Sequence, residues 1–203
     1  KTGNDQIRFK PRPIEGTSVL TGITADYLLL DGQQRLTSLT QALTGDGVVH
    51  TMDSRGKLMD RQYYVDMQLA VQGEDRIDEA VLSLPADGVE RTNFGKDIVR
   101  DASTPDKERV EGLFPVRLLF GDAMSWLFDL DDRDLAREFN NDIVKPVGTY
   151  NIPAIELDKE TSKAAVATVF EKVNVGGLPL NVFELLTATF AGDASYFAQH
   201  GTD

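Results

Sequence analysis

The segment Leu28-Leu29-Leu30-Asp31-Gly32-Gln33-Gln34-Arg35-Leu36-Thr37-Ser38-Leu39 constrains this chain more than any other. An apolar run breaks at Asp-Gly, passes through two glutamines and an arginine, and then takes up helical spacing. Residues 25–30 read as a strand, Asp31-Gly32 as a tight turn, and the stretch from about Gly32 to Thr44 as a helix. Leu36, Leu39 and Leu43 fall on one helical face, and Gly45 suits a left-handed stop. With Asp31 as N-cap, Gln34 takes the third helical position, and the two form an acid-and-amide capping box. Arg35 fits that box poorly, because a cation in the first turn opposes the helix dipole by roughly 0.3–1 kcal/mol. An anion removes the conflict: free N–H groups, a guanidinium and a glycine together make a phosphate-binding arrangement. A capped structural helix and an anion site are both open on the residues alone.

The same residues, Asp31-Gly32-Gln33-Gln34-Arg35, resemble the DGQQR signature of the N-terminal domain of GmrSD-type modification-dependent restriction enzymes. A second block, Val169-Phe170-Glu171-Lys172-Val173-Asn174-Val175-Gly176-Gly177-Leu178-Pro179-Leu180 followed by Phe183-Glu184-Leu185-Leu186, resembles that family's F-E-x-x-N-x-G-G-x-x-L element. The likeness runs from about Ala25 to Phe190. It implies an α+β fold of the ParB/sulfiredoxin-like type, a mixed small sheet with packed helices. It also implies binding and hydrolysis of nucleoside triphosphates that regulate restriction of modified or foreign DNA, the nuclease residing on another domain or subunit.

In the site so implied, Arg35 neutralises triphosphate oxygens, the N–H groups around Gly32, Gln33 and Gln34 cradle them, and Thr37 or Ser38 adds a hydroxyl. Asp31, Gln34 and Arg35 are the residues assigned to turnover. A carboxylate beside a triphosphate is repelled unless a divalent ion bridges them, so Asp31 points to Mg²⁺; as a pure cap it needs none. The Asn174 amide, with Gly176 and Gly177 permitting close backbone approach, either reaches the same pocket or makes a simple helix–helix turn. Lys172 is a phosphate contact or an ordinary exposed helix lysine, and Glu184 a cap rather than a base.

Other chemistries lack their residues. There is no G-x-x-x-x-G-K-[ST] loop and no G-x-G-x-x-G between strand and helix. The two histidines, His50 and His200, stand in separate segments without a metal-ligand pattern, which argues against a His-dependent nuclease centre in this stretch. No cysteine is present, so disulfides and thiolate metal sites are excluded and a reducing cytoplasm fits. No apolar stretch approaches the roughly 18 residues of a membrane span. The opening Lys1-Thr2-Gly3-Asn4-Asp5, without methionine or signal core, reads as an excised fragment of a longer protein.

At 203 residues and 41% hydrophobic content the chain supports one core. The expected organisation is an extended lead-in over residues 1–22 and a single domain over 23–203, with two small subdomains as the alternative. A net charge of −12 disfavours nonspecific duplex binding by the body of the domain. Lys1, Arg8, Lys10 and Arg12 form either a local DNA contact or a solvated arm, and the acidic run between Gly121 and Asp142 reads as a solvated helical face.

Further along, Arg61–Met67 and Ala80–Leu84 read as strands, the latter ended by Pro85. Residues 87–111 read as a long surface excursion and Phe114–Phe120 as a short strand or apolar anchor. Ala123, Trp126, Leu127 and Leu130 fit a helix with Trp126 in the core, and Leu135, Phe139 and Ile143 fit a second over Asp131–Val144. Tyr150–Leu157 reads as a strand. Thr161 opens a helix burying Val166, Val169, Phe170 and Val173, and Asn181 caps another. The principal expectation is a Mg²⁺-dependent NTPase domain. The rivals are a non-catalytic nucleotide- or DNA-binding module of a defence protein and an interaction domain whose motif merely caps a helix.

Overall fold

A computed structural model describes Ile14 and residues 26–30, 32–53, 55–158 and 161–173. Contacts divide the chain into two compact units: Lys1–Leu36 with Pro153–Asp203, and Thr37–Ile152. Helices and small antiparallel sheets make the fold α+β.

Helix α1 (Gln33–Leu43) forms where its spacing predicts. Its first bond runs from the Leu36 N–H to the Gly32 carbonyl at 2.9 Å. Gly45 takes φ +60° beyond its end, as expected of a left-handed stop. The deepest residues are Gln41 and Ala42 rather than the leucines, and Leu39 is 45% exposed. Gln41 is buried because its Oε1 accepts the His50 N–H at 3.1 Å, tying the helix to the first strand.

In the larger unit, strand β2 (Leu58–Asp66) is the axis. It pairs antiparallel with β1 (Val49–Met52), β3 (Val81–Pro85) and β6 (Leu113–Pro115), the last through Tyr64↔Pro115, Val65↔Phe114 and Asp66↔Leu113. Alternate side chains leave a strand on opposite faces. Val65 and Phe114 therefore join a core with α5 (Ala123–Phe128) and α6 (Arg133–Phe139), where Phe114 meets the Trp126 ring edge-on at 5.3 Å and the Phe139 ring at 5.1 Å. Tyr64, on the other face, packs with Leu84, Ala102 and Leu113. Trp126 is a core residue at 4% exposure, as expected. Two four-residue helices, α2 (Met67–Ala70) and α3 (Ile77–Ala80), lie between β2 and β3. After α6 the backbone widens into a π-helical turn over Asn140–Val144 and continues as α7 (Lys145–Thr149). The aspartates between 121 and 142 are exposed.

Three expectations are corrected. Residues 26–30 belong to no strand: Tyr27 and Leu29 are exposed while Leu28 and Leu30 are half-buried, an alternation with no pairing partner among the described residues. Tyr150–Leu157 likewise forms no strand, with Ile152 69% and Ile155 65% exposed, and Pro153 removes a backbone donor from its middle. The stretch 87–111 is no loop; it holds a hairpin of β4 (Val89–Thr92) and β5 (Asp97–Asp101) and then α4 (Pro105–Val110).

Helix α8 (Lys163–Val173) begins after Ser162, whose hydroxyl accepts the Ala165 N–H at 3.2 Å, and it buries Val166. The side chains of Phe170 and Val173, the Asn174–Gly177 turn and the helix expected at Asn181 lie outside the described residues.

Candidate functional site

Because the Gly32 carbonyl accepts the first helical bond, Gly32 occupies the N-cap position, with Gln33, Gln34 and Arg35 as the first three helical residues. This shifts the expected frame by one residue. Counted from Gly32, Gln34 is the second helical residue rather than the third; the expected Asp31–Gln34 capping box rests on Asp31, which lies outside the described residues. The amides of Gln33 and Gln34 precede Leu36, the first intrahelical donor among the described residues, and so lie at the open N-terminal end of the helix.

Gly32 adopts φ +80°, in the left-handed region that glycine tolerates at no steric cost. A Cβ built on it would stand 3.5 Å from Arg35 Nη2, 3.7 Å from Nε and 3.8 Å from Cζ. The guanidinium is thus folded back over the glycine, as helical side chains lean toward the N-terminus onto the residue three before. Gln33, Gln34 and Arg35 are all exposed. The backbone amides and the guanidinium are donors, an arrangement that suits an anion.

Thr37, half-buried on the same helix, opens the larger unit. Asn174, Gly176 and Gly177 lie outside the described residues, and Lys172 is exposed. Among the described residues no group of three or more His, Asp or Glu is placed to hold a metal ion. His50 is exposed on β1, its Nδ1 2.7 Å from Asp60 Oδ1.

Sequence reasoning missed a second polar cluster, which lies wholly within the larger unit. A cleft of about 310 Å³ is lined by Gln62, Tyr64, Asp87, Glu108 and Arg117, among others. Glu108, 2% exposed on α4, accepts from Arg117 Nη2 at 3.0 Å and from Trp126 Nε1 at 3.1 Å. Both carboxylate oxygens are engaged by protein donors, so the cluster is a structural clamp rather than an acid–base centre. The Tyr64 hydroxyl donates to Gln62 Oε1 at 2.9 Å; burial, and next the Glu108 charge, push its pKa above the ordinary value while Arg117 opposes. The available signal was Trp126 itself, since a buried indole N–H requires an acceptor.

The family model described as the GmrSD restriction endonuclease, N-terminal domain, matches residues 14–191. No curated protein and no solved structure matches the chain.

Proposed function

Because the chain belongs to the family of the GmrSD restriction endonuclease N-terminal domain, a restriction-defence family, we propose that the start of α1 binds the phosphates of a nucleoside triphosphate and that this binding, with hydrolysis, regulates restriction of modified or foreign DNA. The observation that carries the reading is the Arg35 guanidinium lying over left-handed Gly32 beside the first-turn amides. A cation held against the positive end of a dipole is disfavoured in isolation. A polyphosphate reverses the sign of both interactions, because amides and guanidinium then act on the same negative oxygens.

Within this reading Gly32 allows the phosphate to approach the backbone, Gln33 and Gln34 supply amides, and Arg35 supplies paired donors. These residues provide no anionic ligand, so Mg²⁺ for hydrolysis is assigned to Asp31 together with phosphate oxygens, where it would neutralise charge developing on the leaving group. The nuclease is assigned to another domain or subunit of the restriction system, and DNA is engaged through other domains or through the full-length protein.

Nucleotide titration by calorimetry, followed by phosphate release with and without Mg²⁺, tests the proposal with Arg35→Ala as the control. A charge-assisted hydrogen bond contributes about 1.5–3 kcal/mol, so the variant should bind roughly 10- to 100-fold more weakly. Equal affinity in wild type and variant would overturn the site. Binding without release of phosphate would leave the site and overturn hydrolysis, giving the non-catalytic module instead.

A further inference from the structure

The β4–β5 hairpin ends in three consecutive residues with positive φ, Asn93 at 50°, Phe94 at 57° and Gly95 at 84°. Asparagine and glycine enter this region readily, whereas a bulky aromatic there is a genuine outlier. Phe94 is also fully exposed, at 104% of its reference area. Backbone strain and an apolar ring in water are two separate penalties at one position, and neither is offset by packing. An Asn-Gly turn would close the hairpin without them. Strain maintained at an exposed site argues for what the side chain contacts outside the fold.

The surroundings identify that contact. Between 91 and 100 the chain carries Arg91, Lys96 and Arg100 against Asp97 alone, in a protein of net charge −12. Arg91 is held by Asp87 at 2.7 Å, and Arg100 lies 3.6 Å from Glu90 and 3.9 Å from Asp66. Lys96, exposed and without a carboxylate partner among the described residues, is the cation nearest the ring in sequence. Asn93 Nδ2 donates to Asp97 Oδ2 at 3.1 Å, bracing the turn so that Phe94 stands clear of it. A braced, protruding ring with an ammonium two residues on and arginines at both strand bases fits a polyanion bearing flat apolar faces; the exposed Ile98 and Val99 of β5 are the area a protein partner would use instead, an outcome the test below separates.

We propose that the β4–β5 hairpin tip is a DNA contact in which the Phe94 ring stacks on or between bases while Lys96 meets the phosphate backbone. Ring stacking on nucleic-acid bases is tolerant of sequence, and apolar wedges enter base steps in the same way. One such contact is compatible with the acidic body of the domain, because it needs no broad basic face. The inference draws on the family's action on DNA and is independent of the nucleotide site.

The test is fluorescence anisotropy of the full-length protein on a labelled DNA duplex, intact and with a single-stranded gap, at low salt. Phe94→Asn keeps a residue suited to left-handed backbone; it should bind DNA about tenfold more weakly while melting at or a few degrees above the wild type. Phe94→Trp should bind within about threefold of wild type, its indole emission quenched on DNA over the constant background of buried Trp126. Lys96→Gln should reduce the slope of log affinity against log salt by about one. Arg35→Ala, the variant that tests the nucleotide site, should bind DNA like wild type when nucleotide is absent. Wild type failing to bind either DNA, or Phe94→Asn binding within twofold of it, would overturn the proposal. So would Phe94→Asn releasing a protein subunit while leaving the DNA titration unchanged, which would assign the tip to a protein partner.

Discussion

Glu108→Ala isolates what the buried clamp contributes to the larger unit. The carboxylate is 2% exposed, bound by Trp126 Nε1 at 3.1 Å and Arg117 Nη2 at 3.0 Å. Breaking a buried ion pair by removing one partner costs about 3–5 kcal/mol, but the Arg117 side chain keeps 24% of its surface exposed and can rehydrate. A discounted figure of about 2 kcal/mol is appropriate for it. The indole N–H has no such escape, because Trp126 is 4% exposed, and leaving it unpaired adds about 1–2 kcal/mol. The expected loss is about 3–4 kcal/mol, on the order of 10 °C in Tm for a chain of this size. Glu108→Gln retains a carbonyl for the indole and loses only the charge opposite Arg117, so it should lose about 1–2 kcal/mol. Urea unfolding followed by the emission of Trp126, the only tryptophan, reads both variants directly. Glu108→Ala within 1 kcal/mol of wild type would refute the clamp. Equal losses in both variants would refute the role given to the indole acceptor.

Gly88→Ala should be strongly damaging, because Gly88 is buried and a Cβ there would lie 2.6 Å from the Ala102 carbonyl oxygen at φ +72°. With backbone on one side and an Ala102 N–H to Gly88 carbonyl bond of 2.8 Å on the other, neither partner can retreat. The expected loss in a urea titration is about 2–4 kcal/mol, against about 1 kcal/mol for the control Gly45→Ala, where nothing lies within 4 Å of the added carbon. Asp101 supplies a pH dependence: hydrogen bonds from Lys107 and then Ser103 hold its pKa at about 2, below the ordinary 3.8. A carboxylate depressed by folding stabilises above its unfolded value, so this contribution should be complete above pH 4 and disappear between about pH 4 and 2. Asp101→Asn should flatten that part of the acid limb when the urea midpoint is followed against pH.

The residues that were legible in sequence are those whose periodicity and burial agree. β2 and β3 were anticipated because Tyr63, Tyr64, Val65 and Leu82, Leu84 sit where one face or both is covered, and Pro85 ends the strand that it was expected to end. The hairpin at 89–101 was missed for the opposite reason: Ile98 is 61% and Val99 51% exposed, so a two-stranded ribbon with little core beneath it carries no alternation to read. α4 left a clearer trace in Thr104-Pro105, since the Thr104 hydroxyl accepts the Lys107 N–H at 3.3 Å and proline occupies the first helical position. Residues 26–30 and 150–157 are rich in apolar side chains, but apolar content cannot supply a neighbouring strand, and pairing rather than hydrophobicity defines a sheet. The π-helical turn was invisible because Leu135, Phe139 and Ile143 keep a spacing of four through it.

Two positions break the local rules that the rest of the chain obeys. Arg35 places a cation in the first turn of a helix, against the dipole, and Phe94 places an aromatic ring in left-handed backbone and in water. Elsewhere the chain makes the conventional choice: Asp66, Thr104, Asp132 and Ser162 cap helices with their side-chain oxygens, and Gly45 and Gly88 carry positive φ where the chain turns. A sequence able to cap and turn correctly at so many points has the means to do so at residues 35 and 94, where lysine-free polar or glycine substitutes would remove the conflict. Violations retained against such a background concentrate where a ligand completes the interaction. Under the two proposals made above the ligand group is of the same kind, a phosphate oxygen: of a nucleotide for Arg35, and of a DNA backbone for Lys96 with a base against Phe94. The two sites therefore make a joint demand that a stability measurement can meet. Phe94→Asn should remove strain and raise the melting temperature of the free protein, whereas a restriction protein selected only for stability would already carry asparagine or glycine there.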